Sequence, residues 1–245
     1  EALDGIDVAY FLIHSMERGD RASAARFVEA ARRAGLRRVV YLGGIVPANS
    51  APSAHLSSRL AVEEALLAGV PEAVALRASI VIGAASRSFR FLVRLVERIP
   101  VLPLPAWRTH RTRPIDAGDV VELLAAAATT EHAHGGLSLD IAGPDVVTYA
   151  QLIDRIRDGL MVDRTSLLLP ALPAGLSGLA APLAAAITGE DPDLIGPLMA
   201  SLESDLLPRD DRAADLLGVH LRGLDRSISR ALREWESVEE MGARL

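Results

Sequence analysis

The sequence predicts an α/β fold built on a parallel sheet, and three observations predict it. First, apolar runs of strand length alternate with stretches of helical periodicity along residues 7–82, the pattern of repeated strand–helix–strand units. Second, the runs are continuous rather than alternating. Val39-Val40-Tyr41-Leu42 is one such run, closed by Gly43-Gly44, as expected of strands buried on both faces. Third, each run ends in small or turn-forming residues that let a ligand approach the backbone. In open sheets of this kind ligands sit outside the carboxyl ends of the strands. Function is therefore expected at the edge marked by His14, Gly43, His55 and Ser79.

The elements follow in order. Asp7 to Ile13 reads as a strand ending at His14-Ser15. Asp20 is an N-cap candidate for a helix over Arg21 to Ala34, with Ala24, Phe27, Val28 and Ala31 at helical spacing and Gly35 as its stop. After the strand that ends at Gly43-Gly44, a helix from about His55 to Ala68 is expected, then a strand from Val74 to Ile82 closed by Gly83. A helix over Ser86 to Ile99 is followed by Pro100, Pro103 and Pro105, which break what comes next, and by a basic loop from Trp107 to Arg113. Asp116 or Asp119 caps a helix reaching about Thr130. Leu137 to Ile141 is a strand, and Thr148-x-x-Gln151 is a capping box opening the helix from Tyr149 to Gly159. Helices are expected over Asp193 to Leu206 and Leu224 to Trp235, the latter with Leu224, Ile228, Ala231, Leu232 and Trp235 in register.

Composition narrows the chemistry. Half of the 245 residues are hydrophobic and the net charge is -6. That length suits one α/β domain with an appendage, and the acidic balance argues against sequence-independent nucleic-acid binding. There is no cysteine, which excludes disulfides, thiolate zinc sites and cysteine nucleophiles. All 26 basic residues are arginine, so any mechanism that needs a lysine amine is excluded as well. No secretory signal opens the chain, which makes the cytoplasm the default compartment. Thr165 to Gly189 carries no charge, but Pro170, Pro173 and Pro182 with Gly175 and Gly178 divide it. A pair of short helices covering a pocket or a neighbouring subunit is expected there, not an integral membrane segment.

The order DVAYFLIHS, RRVVYLGGI, HLSSRLAVEE, ALRASIVIG, RPIDAGDVV and LDIAGPDVVTYAQL resembles the extended or atypical short-chain dehydrogenase/reductase superfamily, near its NmrA-like, NAD(P)H-binding branch. The resemblance spans nearly the whole chain. It implies the C-terminal portion of a Rossmann-like parallel sheet whose first three strands, with the Gly-rich pyrophosphate turn, are missing. It also implies a partial NAD(P)-binding domain over residues 1–164 and a small, mostly helical substrate or lid region over residues 165–245. NAD or NADP is the implied cofactor, and a small molecule the implied substrate. A homodimer through the helices at Arg21–Ala34 and His55–Ala68 resembles family practice.

Several residues carry the expected chemistry. His55-x-x-x-Arg59 stands where the superfamily has Tyr-x-x-x-Lys, with both side chains on one helix face. His55 can donate or accept a proton near neutral pH, and Arg59 supplies positive charge toward ribose hydroxyls or phosphate. The plainer reading is a helix-start histidine and a surface cation. Gly43 and Gly44 stand where the family has its catalytic serine, and close cofactor approach or a tight turn is the role they can fill. The resemblance places His14 and Ser15 against a cofactor ribose, and Ala78 and Ser79 beside the nicotinamide amide, which Ser79 can bond. Arg108, His110, Arg111 and Arg113 form a basic cluster. Arg113 is the candidate for an anionic substrate, against the alternative of a solvated or ion-paired loop. No acidic or histidine spacing suggests a metal site. Two functions follow: an oxidoreductase on an apolar small molecule, with His55 as the acid, or a cofactor-binding sensor, regulator or assembly factor without turnover.

Overall fold

A computed structural model of the chain describes residues 2–13, 20–47, 53–98, 101–104, 106–162, 165–168 and 204–239. Strands β1 (Val8–Phe11), β2 (Arg38–Gly44) and β3 (Glu72–Ala78) alternate with helices α1 (Asp20–Ala34) and α2 (Ala54–Gly69). The three strands and a later one, Leu137–Ile141, form a parallel sheet in the order β1, β2, β3, Leu137–Ile141.

The short elements between them depart from the sequence expectation. The single strand expected over Val74 to Ile82 is cut after Ala78. Val81–Ile82, here β4, leaves the sheet and pairs in parallel with Ile115–Asp116. Continuous apolar sequence does not say which neighbour a strand will take, and Ile80 gives its carbonyl to the Ile115 amide at 2.9 Å. Helix α3 (Arg87–Arg98) is as expected to within a residue at each end. After it the proline-broken stretch is extended. β5 (Val101–Leu104) pairs in parallel with Thr165–Leu168, and among the described residues that is its one partner strand, a setting in which a proline is tolerated. The expected basic loop contains a 3-10 turn, Ala106–Thr109, and a short strand β6 (Arg111–Thr112). β7 (Ile115–Asp116), α4 (Ala117–Thr129), β8 (Leu137–Ile141), β9 (Val147–Thr148), α5 (Tyr149–Leu160) and β10 (Thr165–Leu168) follow, then α6 (Arg212–Leu217) and α7 (Leu224–Glu236). The uncharged stretch thus begins as a strand, not a helix, and its remainder lies outside the described residues. So does most of the helix expected over Asp193 to Leu206. Its last residue is not helical but bridges Thr112, because the Leu206 amide binds the Arg111 carbonyl at 2.8 Å.

Local chemistry explains the boundaries that were expected. Asp116 caps α4, accepting from the amides of Gly118 and Asp119. Thr148 and Gln151 form the capping box of α5. Gly35 ends α1 in the left-handed region, at φ 69°.

Three apolar cores result among the described residues. One lies between α1, α2 and one face of the sheet, with Val39, Tyr41, Ala75 and Leu66. A second lies between the other face, α4 and α6, with Val40, Val74, Leu76 and Leu139. A third joins α3, α5 and α7, with Phe89, Val93, Ile153, Leu232 and Trp235. All five residues read as the apolar stripe of α7 are buried in it. Arg90 and Arg94 stack on the Trp235 ring at 4.4 and 4.9 Å. Asp116 and Asp119, both buried, pair with Arg230 and Arg222, so the acids that start α4 also tie the C-terminal segment to it. Among the described residues no helix is long and apolar enough to cross a membrane.

Candidate functional site

The parallel register decides what meets at the carboxyl end of the sheet. Gly43, Arg77 and Asp140 share one row, and Gly44, Ala78 and Ile141 the next. Beyond that row the Ile45 amide binds the Ala78 carbonyl at 3.0 Å, and the Ser79 amide binds the Ile141 carbonyl at 3.1 Å. The tails near residues 43 and 79 therefore converge, as the sequence required. β1 runs parallel to β2 and points its tail the same way. His14 and Ser15, which follow it, lie outside the described residues.

Helix α2 brings its first turns to this edge. Ser53 caps it, accepting from the Leu56 amide at 3.3 Å, which sets His55 in the first turn, half-buried. One turn on, a Cβ placed on Gly44 would lie 3.7 Å from Arg59 Nη1 and 3.2 Å from Leu56. The Tyr41 hydroxyl donates to the Arg59 carbonyl at 3.2 Å, locking that turn to β2. A Cβ on Gly43 would sit 3.1 Å from the Tyr41 ring. Gly44 is thus what lets α2, with the Arg59 guanidinium, lie so close to the strand tail, while Gly43 leaves room for the Tyr41 ring.

The remaining candidates have partners within the chain. Ser79 is buried, its hydroxyl 3.1 Å from that of Thr112. Ala78 is half-buried at the tail. Arg113 donates through Nε to the Gly143 carbonyl at 2.8 Å and pairs with Asp211. Arg111 forms a two-pronged pair with Asp205, at 2.7 and 2.9 Å. The basic cluster is therefore in part an intramolecular clamp on the segment around residues 205–211, an arrangement that spacing along the chain does not reveal.

Sequence reasoning missed a buried charge group under the tails. Arg77 Nε lies 2.8 Å from Asp140 and its Nη1 4.0 Å from Glu63 of α2. Glu63 also accepts from the Ser138 hydroxyl at 2.6 Å, and Asp140 accepts from the Arg209 amide at 2.8 Å. Burial raises both carboxyls above their usual range, Glu63 against the opposing bond from Ser138 and Asp140 against the charge of Arg77. The signal for this group was present: Arg77 and Asp140 are the charged residues inside the otherwise apolar runs AVALRA and LSLDI. Among the described residues no cluster of three or more His, Asp or Glu is arranged to hold a metal.

No family model matches the chain. A curated relative is the mitochondrial NADH dehydrogenase [ubiquinone] 1 alpha subcomplex subunit 9 of Arabidopsis thaliana, 29% identical over 129 residues that cover 53% of this chain. The match spans about a third of that protein, 32% of its length. Among solved structures, MoeE5 in complex with UDP-glucose and NAD superposes with a TM-score of 0.67 and 17% identity, over 96% of this chain and 80% of that one. RMD from Pseudomonas aeruginosa complexed with NADPH gives 0.67 and 14%, over 94% and 82%. TunA, an NAD-dependent NDP-hexosamine 5,6-dehydratase, gives 0.68 and 15%, over 99% and 80%. The shared property is the Rossmann-like fold.

Proposed function

We propose, on the premise of a Rossmann-like fold shared with NAD- and NADPH-bound enzymes, that this chain carries the nicotinamide-facing side of an NAD(P) site. The carrying observation is the juxtaposition of Gly43-Gly44, the first turns of α2 with His55 and Arg59, and Ala78-Ser79 at one end of parallel strands. That edge fits the group on its own chemistry. The paired glycines keep the strand tail bare, Arg59 offers a cation for ribose or phosphate oxygens, and Ser79 offers a hydroxyl. His14 and Ser15 follow a strand that points to the same edge. The cofactor would supply hydride chemistry. The chain would supply binding and, through His55, a proton near neutral pH.

Residues 1–164 serve the nucleotide in this reading, and residues 165–245 cover a small-molecule substrate. Arg113 would have to release Asp211 to meet an anionic one. A second reading, cofactor binding without turnover, has a specific basis: histidine and arginine replace the Tyr and Lys of the resembled motif, and glycine replaces its serine. Titrating NADH and NADPH by fluorescence tests the common premise, and micromolar binding weakened several-fold by Arg59→Ala is expected. Stopped-flow oxidation of the reduced nucleotide across a carbonyl and quinone panel, in wild type and His55→Ala, separates the two. Oxidation lost in His55→Ala supports the enzyme, whereas binding without oxidation of any compound supports the sensor. Absence of binding to either nucleotide ends both.

A further inference from the structure

Residues 205–211 run beside the carboxyl end of β8, and alternating charge holds them there. Asp205 accepts from Arg111, Arg209 donates to Asp140, and Asp211 accepts from Arg113. The segment thus presents minus, plus, minus to a body that presents plus, minus, plus. Its Asp211 end reaches the proposed site. Arg113 follows Thr112, whose hydroxyl is 3.1 Å from that of Ser79. The Arg113 carbonyl accepts from the Gly143 amide at 3.3 Å, two residues past β8. The Arg113 guanidinium is aimed by the chain itself: Nε donates to the Gly143 carbonyl at 2.8 Å, and the side chain is only 15% exposed.

Its partner is held far less firmly. The Asp211 side chain is 72% exposed, and an ion pair open to water on one side is weak. Asp211 is also the N-cap residue of α6, yet it makes no side-chain bond to that helix. An aspartate in that position ordinarily accepts from the first amides of its helix, as Asp116 does in α4. At ψ 8°, against 137° for Asp116, the Asp211 backbone turns the carboxylate to Arg113 instead. Between the segment and the body a cavity of about 20 Å3 remains, lined by Arg113, Asp140, Pro208 and Asp211. That is room for one water and for no ligand. We propose that Asp211 is an intramolecular stand-in for an oxyanion, and that it keeps Arg113 closed until the carboxylate or phosphate of a small-molecule ligand displaces it. The displaced carboxylate turns to the amides of α6. The inference rests on the substrate side of the reading above, in which Arg113 meets an anion, and adds the competitor that inhibits that site from within the chain.

Titration of the full chain, carrying isotope-labelled arginine, with sodium acetate and with sodium phosphate at constant ionic strength tests it. The nuclear magnetic resonance signal of the Arg113 Nε–H is followed. The bond to the Gly143 carbonyl slows exchange of that proton with water, and its signal is assigned by its loss in Arg113→Gln. Asp211→Asn removes the competing charge and keeps a side chain able to cap. It is expected to bind the anion about twofold to fivefold more tightly than wild type, the worth of one surface ion pair. Asp210→Asn removes the same charge one residue away, where the carboxylate serves Arg212, and is expected to leave the affinity at Arg113 unchanged. The anion that shows the gain gives the ligand class, carboxylate or phosphate. Equal affinity in wild type and Asp211→Asn, or an equal gain in Asp210→Asn, overturns the inference. So does an Arg113 signal that neither anion moves in Asp211→Asn. Each of these leaves NAD(P) binding standing, since the nucleotide titration decides that separately. A chain that binds no nucleotide but keeps the Asp211→Asn gain overturns the NAD(P) reading and supports the stand-in.

Discussion

The two ends of β3 each carry a buried charge cluster, and the clusters differ in how completely they are satisfied. At the amino end Glu72 accepts from Arg38 at 2.7 and 3.0 Å and from Arg37 at 2.6 Å. Arg38 spends its remaining nitrogen on the Ala128 and Ala127 carbonyls, at 2.7 and 3.4 Å, where α4 ends. A cation there also complements the helix dipole. The Arg38 hydrogen bond holds the Glu72 carboxyl below its usual range. At the carboxyl end Arg77 faces Glu63 and Asp140, burial raises both carboxyls, and among the described residues Arg77 Nη2 has no hydrogen-bond partner. The closed cluster ties β2, β3 and the end of α4 together. The open one lies beside Gly43, on the side of the sheet where the site is proposed, as expected where local satisfaction is given up for function. Cavity size points the other way: a cleft of about 710 Å3 opens at the amino end, between the ends of α1 and α2. Arg32 already occupies the terminal carbonyls of α2 there, at 3.2 and 3.3 Å, and no candidate chemical group faces it.

This contrast can be broken by substitution. Arg38→Met should give the largest loss of stability, read as the urea midpoint, because it takes two of the three arginine bonds from the buried Glu72, leaving it Arg37, and strands two helix-end carbonyls at once. Arg77→Met should cost clearly less, since Asp140 keeps Arg209 and the unpartnered nitrogen disappears. Equal losses would refute the distinction between the ends. Next in size is Gly143→Ala, in the turn that follows β8. A Cβ there would meet the Pro114 carbonyl oxygen at 2.0 Å, so backbone must move at a cost of about 1–3 kcal/mol. A variant as stable as wild type would show that the Pro114 and Gly143 loops are looser than described.

The smallest effect is the pH slope. Glu63 has its folded pKa raised, so its ionised form is disfavoured in the fold. Stability is then highest below the unfolded value, roughly pH 4.3, and is lost as pH rises through the folded pKa. Glu72 has its folded pKa lowered, so its contribution is present above the unfolded value and is lost as pH falls through the folded one. Glu63→Gln should flatten the decline on the neutral side, and Glu72→Gln the decline on the acid side. Identical slopes in wild type and Glu63→Gln would remove the carboxyl end from the comparison.

The sequence by itself determined the parallel strands, the helices around them, the caps at Asp116 and Thr148 and the buried stripe of α7. Each of these rests on neighbours within about one helical turn or one strand, which the chain order displays. It also brought Gly43-Gly44, the first turns of α2 and Ser79 to one edge, because parallel strands end together. Only the tertiary structure decided that the run after Ala78 leaves the sheet, that residues 101–104 pair with 165–168, and that Arg111 and Arg113 clamp Asp205 and Asp211. The same holds for Arg77 with Glu63 and Asp140, and for Thr112 with Ser79. The reason is common to all of them. A hydrogen bond or ion pair between elements depends on register and on which side chains share a face across the fold, and composition and spacing along one chain do not encode which distant partner a polar group will find.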